Sequence, residues 1–363
     1  MSSTFVVDRA DLRRGRWLES TAPLAEGGVR TRIDRFALTS NNVTYAAFGD
    51  SMHYWDFFPT GDDATGCVPV WGFATVVESR HAEVAVGSRL YGYFPIADAV
   101  DLMPENVTAG GFDDGAPHRR ALPAIYNHYR SCADDPGPRV EDEALIALLR
   151  PLFTTSFLID DFLADRGYFG ARSILVSSAS SKTGYGLAFC LSERSPEARP
   201  RVVGLTSTRN LEFVRGLGCY DDVVDYGALD DATLDAPVVY VDMSGDATVR
   251  ERIHRRWIDR LAYSCAVGAT HWQVLGGARE LPGPRPILFF APSQAQKRVA
   301  DWGAAQFQSR LATSWSSFVA RVADPARPWL RVSTGDGRHA VEGAFRALLD
   351  GDVPADVGWV LRV

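Results

Sequence analysis

From Ser173 onward the sequence alternates short, Val-rich apolar runs with stretches of helical spacing. The order is SILVSS, Gly184–Ser192, RVVGLTS, Asn210–Gly216, DVVDY, PVVYVDMS and Thr248–Ala262. Apolar runs without polar alternation fit strands buried on both faces, and helices between such strands require right-handed crossovers. The pattern therefore predicts an α/β class and a doubly wound parallel sheet. After Phe290 an amphipathic helical stretch continues to about Ala320, followed by the strand WLRVS, a helix over Ala340–Leu349 and a closing strand GWVLRV.

The first third reads differently. Arg30–Leu38, Pro69–Glu78 and Arg89–Phe94 are β-rich runs separated by Gly49-Asp50, Gly61-Asp62 and Gly87-Ser88, which predicts a compact β domain. Between Asp98 and Pro138 turn-formers dominate, including Asp134-Asp135-Pro136-Gly137-Pro138, and the pattern predicts loops. From Glu141 apolar residues return at helical spacing through Phe162, predicting one or two helices. A length of 363 residues at about 150 per domain agrees with two domains.

Composition narrows the function classes. A 46% hydrophobic content supports a sizeable core, and a formal charge of −7 offers no electrostatic basis for holding nucleic acid or an anionic membrane. The basic run Arg250–Arg256 reads as a solvated helix face beside Asp246 and Glu251. The five cysteines are scattered, without C-x-x-C spacing, and the seven histidines, His271 among them, are widely separated, so no metal site is expected. The longest apolar stretch, Val68–Val77, is far too short to span a bilayer. The expected setting is cytoplasmic, with a small molecule as the substrate.

The chemistry-bearing segment follows the first Val-rich strand. Ala179, Ser180, Ser181, Lys182, Thr183 and Gly184 place small residues where a strand enters a helix, so that backbone can approach a pyrophosphate at a positive helix N-terminus. The bare motif is weak, because G-x-G-x-x-G is absent and many such turns are structural. Ser181-Lys182-Thr183 also resembles the end of a phosphate-binding P-loop, but the glycines that loop requires are missing. The end of the second strand discriminates better. A carboxylate there would bind a ribose 2′-hydroxyl, whereas Ser207, Thr208 and Arg209 offer hydroxyls and a planar guanidinium suited to a 2′-phosphate. This predicts NADP(H) as cofactor; the plainer alternative is that Thr208 and Arg209 cap and solvate the next helix.

In sum of its ordered pieces the chain resembles the medium-chain dehydrogenase/reductase superfamily, on its zinc-free quinone oxidoreductase and enoyl reductase side. The pieces are TRIDRFALTSNNVTYAAFGD, VPVWGFATVVES with VAVGSRLYGYFP, SILVSSASSKTG, VVGLTSTRNLEFVRGLGCYDDVVDY, VVYVDMSG and the tail AVEGAFRALLDGDVPADVGWVLRV. The resemblance implies a GroES-like β-barrel catalytic domain from residues 1–150 and 325–363, and an inserted Rossmann NADP-binding domain from 151–324, with the nicotinamide in the cleft between them. It implies that Ala179 to Gly184 form the pyrophosphate turn, that Ser207, Thr208 and Arg209 hold the adenosine phosphate, and that Tyr226 lies beside it. Ser181 and Lys182 stand where the family carries two glycines, and Val70-Trp71-Gly72-Phe73 stands where zinc-dependent members carry Gly-His-Glu. A homodimer is implied by the resemblance alone.

Reduction of a carbonyl or enone needs a donor for the developing oxyanion or enolate. In zinc-free relatives a Tyr, or an Asn with backbone groups, plays that part, and the matching region here offers Asn41, Asn42, Tyr45, His53 and Tyr54, of which Tyr54, Tyr45 and Asn42 are taken as candidates, with Tyr54 or Tyr45 as proton donor. Aromatic packing is the competing reading for both tyrosines. Tyr126-Asn127-His128-Tyr129 is a second polar-aromatic cluster that could line the same cleft. The expected activity is zinc-independent, NADPH-dependent reduction of an activated C=C or C=O bond in a quinone, enone or enoyl compound. The alternative is a catalytically idle NADPH-binding or sensing protein of the same fold.

Overall fold

The Val-rich runs do pair in parallel: SILVS and VVYVD are buried along their whole length and RVVGLT after its first residue, while DVVD, with two aspartates, pairs only with RVVGLT at one end of the sheet. The computed structural model describes residues 2–132, 140–267 and 281–363, the side chains of 140–142 excepted. The Asp134–Pro138 turn cluster and His271 lie outside the described residues.

In chain order the elements begin with β1 (Ser2–Asp8), β2 (Gly15–Ser20), β3 (Val29–Leu38), α1 (Ser40–Ala47), β4 (Thr65–Cys67), β5 (Pro69–Ser79) and β6 (Arg89–Pro95). Then come β7 (Ala99–Leu102), β8 (Pro104–Thr108), β9 (Gly111–Asp114), β10 (His128–Ser131) and α2 (Val140–Asp165). The alternating segment follows as β11 (Ser173–Ser177), α3 (Lys182–Ser192), β12 (Arg201–Thr206), α4 (Leu211–Leu217), β13 (Asp222–Asp225), β14 (Val238–Asp242), α5 (Ala247–Arg256), β15 (Leu261–Ala266) and β16 (Ile287–Leu288). The chain closes with α6 (Ala291–Trp302), α7 (Ala304–Val322), β17 (Arg331–Asp336), α8 (Arg338–Asp350) and β18 (Val357–Arg362).

The chain divides into two compact units, Met1–Leu148 with Arg331–Val363, and Leu149–Leu330. In the first, among the described residues, β2-β1-β4 form a small antiparallel sheet. A larger mixed sheet runs β17-β18-β3-β5-β6-β10-β9-β8, with β7 on β3. The tail returns to the barrel through β18, which pairs antiparallel with β3 from Trp359 opposite Leu38 to Leu361 opposite Phe36. Its core includes Phe5, Val29, Ile33, Phe36, Val70, Phe94 and Phe345.

In the second unit the sheet order is β13-β12-β11-β14-β15-β16, parallel throughout. Numbered from β11 this is 3-2-1-4-5-6, the dinucleotide-fold order, whose ligand crevice lies at the carboxyl ends of the strands. Leu175, Val203, Leu205, Val238, Tyr240 and Trp257 make its core.

Four expectations need correction. The run Arg250–Arg256 is not wholly a solvated face: Arg250 and His254 are buried, Arg250 paired with Asp242. The helix expected over Thr248–Ala262 stops at Arg256, and Leu261–Ala266 is a fifth parallel strand, β15. The helical periodicity overran because LAYSCA pairs with β14 over a long sequence separation that local spacing does not show. The stretch from 98 to 131, expected as loop, contains β7 to β10, short strands whose turn-rich composition hides them. The amphipathic stretch after Phe290 is two helices, broken at Gly303, whose φ of 83° a side chain would strain.

Candidate functional site

The turn leaving β11 is built by its own hydrogen bonds. Ser178 sits in the left-handed region at φ 50°, the Ser181 amide donates to the Ser178 carbonyl at 2.8 Å, and the buried Ala179 amide donates to the Leu205 carbonyl on β12 at 3.0 Å. Ser181 then caps α3, its Oγ accepting from the Gly184 amide at 3.1 Å. At Gly184 a Cβ would meet the Ser178 carbonyl oxygen at 2.8 Å, so the turn and the first helical turn pack too closely for any side chain there. A helix start leaves its first amides without intrahelical acceptors and carries the positive end of the dipole, which together favour an anion.

Two further loops close on this turn. Tyr226, just beyond β13, accepts from the Ser178 amide at 2.8 Å through its hydroxyl, and burial pushes its phenol up to about 12. Asn210 Nδ2 donates to Ser180 Oγ at 3.0 Å, tying the segment after β12 to the turn, while Tyr220 OH donates to the Ala179 carbonyl at 2.9 Å. Ser207 is half-buried; Thr208 and Arg209 are exposed. The carboxyl ends of β11, β12 and β13 thus gather the hydroxyls, amides and guanidinium singled out in the sequence.

Beside them, at the end of β14, lies a buried polar network. Ser177 Oγ donates to Asp242 Oδ1 at 3.1 Å and accepts from Tyr240 OH at 3.1 Å and the Met243 amide at 3.1 Å. Asp242 Oδ1 also accepts from the Gly245 amide at 2.9 Å, and Oδ2 accepts from Arg250 Nε at 2.8 Å. On the same helix His254 is fully buried, with Nε2 2.9 Å from Ser264 Oγ and Nδ1 2.9 Å from the Pro282 carbonyl oxygen. Burial lowers its pKa below the ordinary value.

In the first unit the candidate donors sit in an aromatic nest. Tyr45 on α1 and Tyr54 in the 3-10 turn Tyr54–Phe57 have ring centroids 4.6 Å apart, and Phe57, Trp71, Tyr93 and Tyr126 pack around them. Tyr54 and Tyr126 hydroxyls are 3.5 Å apart. Burial raises the pKa of Tyr45, Tyr54 and Tyr126, which keeps all three phenols protonated near neutrality. Asn42 is buried but its amide is committed: Oδ1 accepts from the Thr39 amide at 2.7 Å and Nδ2 donates to the Pro69 carbonyl at 2.8 Å. That makes it the reciprocal partner of the N-cap Thr39 in the capping box of the helix that carries Tyr45.

With this geometry in place, the comparisons with known proteins bear on the chain. Residues 36–354 match the family model described as "Protein of unknown function (DUF2855)". The chain belongs to that family. No curated protein matches it. Among solved structures, CurA from Vibrio vulnificus in complex with NADPH is similar with a TM-score of 0.58, 15% identity, and 99% of each chain covered. The quinone oxidoreductase from Coxiella burnetii is similar with a TM-score of 0.53 at 13% identity, over 100% of this chain and 99% of that one. The yhdH oxidoreductase from Salmonella enterica in complex with NADP has a TM-score of 0.52 at 12% identity, with 100% of both chains covered. At such identities the likeness is one of fold: this DUF2855 chain has the medium-chain dehydrogenase/reductase fold, a GroES-like β domain with an inserted Rossmann domain.

Of the residues singled out in the sequence, Ala179 to Gly184, Ser207 to Arg209 and Tyr226 come to one end of the parallel sheet, and Tyr45, Tyr54 and Asn42 to one region of the β unit. Sequence reasoning missed Ser177, Ser178, Asn210 and Asp242. Ser178 and Asp242 carried a signal, since the first directly precedes the small-residue turn and the second ends the run VVYVD. Asn210 carried none, because its partner is thirty residues away in sequence.

Proposed function

We propose that the chain is a zinc-independent, NADPH-dependent oxidoreductase that reduces an activated C=C or C=O bond in a quinone, enone or enoyl compound. The observation that carries this reading is the convergence of the turn 178–184, the strand end Ser207-Thr208-Arg209 and Tyr226, joined by the bond from the Ser178 amide to Tyr226. The close approach at Gly184 and the capped start of α3 suit a pyrophosphate, so Ala179, Ser180, Ser181, Lys182, Thr183 and Gly184 would hold it. Arg209, with Ser207 and Thr208, would hold the adenosine 2′-phosphate, beside Tyr226. The segment Thr206–Arg209 itself carries no carboxylate, and Asp225 of β13 stands opposite Thr206.

When bound, the reduced nicotinamide would supply a hydride. The chain supplies the rest. Tyr54 or Tyr45, each a neutral phenol, would donate a hydrogen bond, and then a proton, to the oxygen or carbon that gains negative charge. Asn42 would serve by fixing α1, and so the position of Tyr45. The aromatic nest excludes water from the donors and offers a flat apolar wall to an unsaturated substrate. A cytoplasmic setting belongs to the same proposal.

The test is a panel of quinones, enones and enoyl thioesters with NADPH consumption followed by absorbance. Turnover with at least one class, reduced about 100-fold in Tyr54→Phe or Tyr45→Phe with NADPH binding unchanged, is the expected result. NADPH binding without turnover across the panel would favour the idle binding or sensing protein. Turnover unaffected by either substitution would remove both tyrosines from the mechanism.

A further inference from the structure

Tyr126 is not one of the candidate donors, yet its side chain meets both. Its ring lies 5.9 Å from that of Tyr54 and 6.3 Å from that of Tyr45, edge-on to each, and its hydroxyl is 3.5 Å from the Tyr54 hydroxyl. A phenylalanine would pack as well in such a nest; a hydroxyl among apolar rings costs free energy unless another polar group answers it. The Tyr93 hydroxyl, fully buried in the same nest, has no such partner.

The backbone that carries Tyr126 is held more firmly than a loop residue needs. Arg119, 1% exposed, donates from Nη2 to the Tyr126 carbonyl at 2.9 Å and from Nη1 to Asp114 Oδ2 at 2.6 Å and to Tyr129 OH at 2.8 Å. Asn127 Nδ2 donates back to the Arg119 carbonyl at 2.8 Å, and Asp114 Oδ1 accepts from the Ala116 amide at 3.1 Å. A buried ion pair whose Nη1 and Nη2 are both committed, with Nε alone unanswered, is a rigid mount, the kind of support that holds a functional side chain in place.

At 3.5 Å either hydroxyl can be the donor. A Tyr54 that gives its own proton to substrate must accept here, which leaves Tyr126 to donate. Hydrogen bonds of this kind are long in a ligand-free site and tighten in the complex.

We propose that Tyr126 is a positioning residue, mounted on Arg119, whose hydroxyl donates to the Tyr54 oxygen and leaves the Tyr54 O–H to point at substrate. This rests on the reading of Tyr54 as the donor in the reductase proposed above. The role goes beyond packing: it sets both the orientation and the acidity of the phenol that Tyr54 presents.

The experiment labels the full-length protein with 13Cζ-tyrosine and assigns the Tyr54 resonance from Tyr54→Phe. In Tyr126→Phe the Tyr54 resonance is expected to shift at neutral pH and its alkaline midpoint to rise. With 3,5-difluorotyrosine at position 126, a stronger donor of the same shape, the midpoint is expected to fall. On a substrate found in the panel, Tyr126→Phe should lower kcat about 10-fold and leave KM within about twofold. A Tyr54 resonance unmoved in both variants overturns the proposal, whatever kcat does. If no panel compound is turned over, the reductase reading fails on its own, while the Tyr54 resonance still decides whether Tyr126 donates to it.

Discussion

Asn42 and Gly184 separate residues that build the sites from residues that act in them. Asn42 joins the Thr39 amide to the Pro69 carbonyl, so Asn42→Ala leaves buried polar groups unanswered and should lower stability by about 2 kcal/mol in chemical denaturation. Gly184→Ala sets a methyl against the Ser178 carbonyl oxygen and should cost about 1–3 kcal/mol, with a parallel loss of NADPH affinity seen by titration. Residue chemistry was legible in the sequence where a type of side chain was enough: hydroxyls and Arg209 at a strand end, small residues in a turn. It was not legible where two distant segments choose each other. Nothing local to Tyr226 says that its hydroxyl will accept from Ser178, forty-eight positions earlier, and nothing near Asn42 distinguishes an oxyanion donor from a helix cap.

At the level of elements, β14 and α5 are locked together by the pair Asp242–Arg250, both almost wholly buried. Arg250→Leu strands a carboxylate in the interior and should cost about 3–5 kcal/mol, measured by denaturant unfolding. His254, on the next turn of α5, gives the same unit an acid limit. Burial, chiefly, and then the nearby Arg250 lower its pKa, against opposing effects of the Pro282 carbonyl and Asp242. The unfolded chain takes up the proton at the ordinary value of 6.5, so the stability His254 contributes is complete above that pH and is lost as pH falls below it toward the folded value. Denaturation midpoints between pH 5 and 8 should therefore drop on the acid side in the wild type and less so in His254→Gln. The parallel strands with Val-rich interiors were read correctly because burial on both faces leaves a continuous apolar run. Leu261 and Ala262, the start of β15, were read as the end of a helix and Tyr263 to Ala266 as no element, because the segment mixes small and aromatic residues and its strand character comes from pairing with β14.

For the whole molecule, each unit carries its own core, and the chain passes from one to the other within α2, between Leu148 and Leu149. The ordered pieces of the sequence revealed the fold class because each is short and bound to one strand or turn. The region from 98 to 131 stayed unreadable because its strands are short and turn-rich: β8 and β9 pair locally, while β7 and β10 take the distant partners β3 and β6. NADPH at a hundred times its Kd should stabilise the Leu149–Leu330 unit by about 2.7 kcal/mol, visible as a rise in the transition followed by a probe in that unit. The most direct test is calorimetric titration of the wild type and Arg209→Ala with NADPH and with NADH. A guanidinium on the 2′-phosphate predicts NADPH bound about 10–100-fold more tightly than NADH, with that preference abolished in Arg209→Ala. Equal affinity for the two nucleotides in the wild type, or no heat with either, would contradict the account.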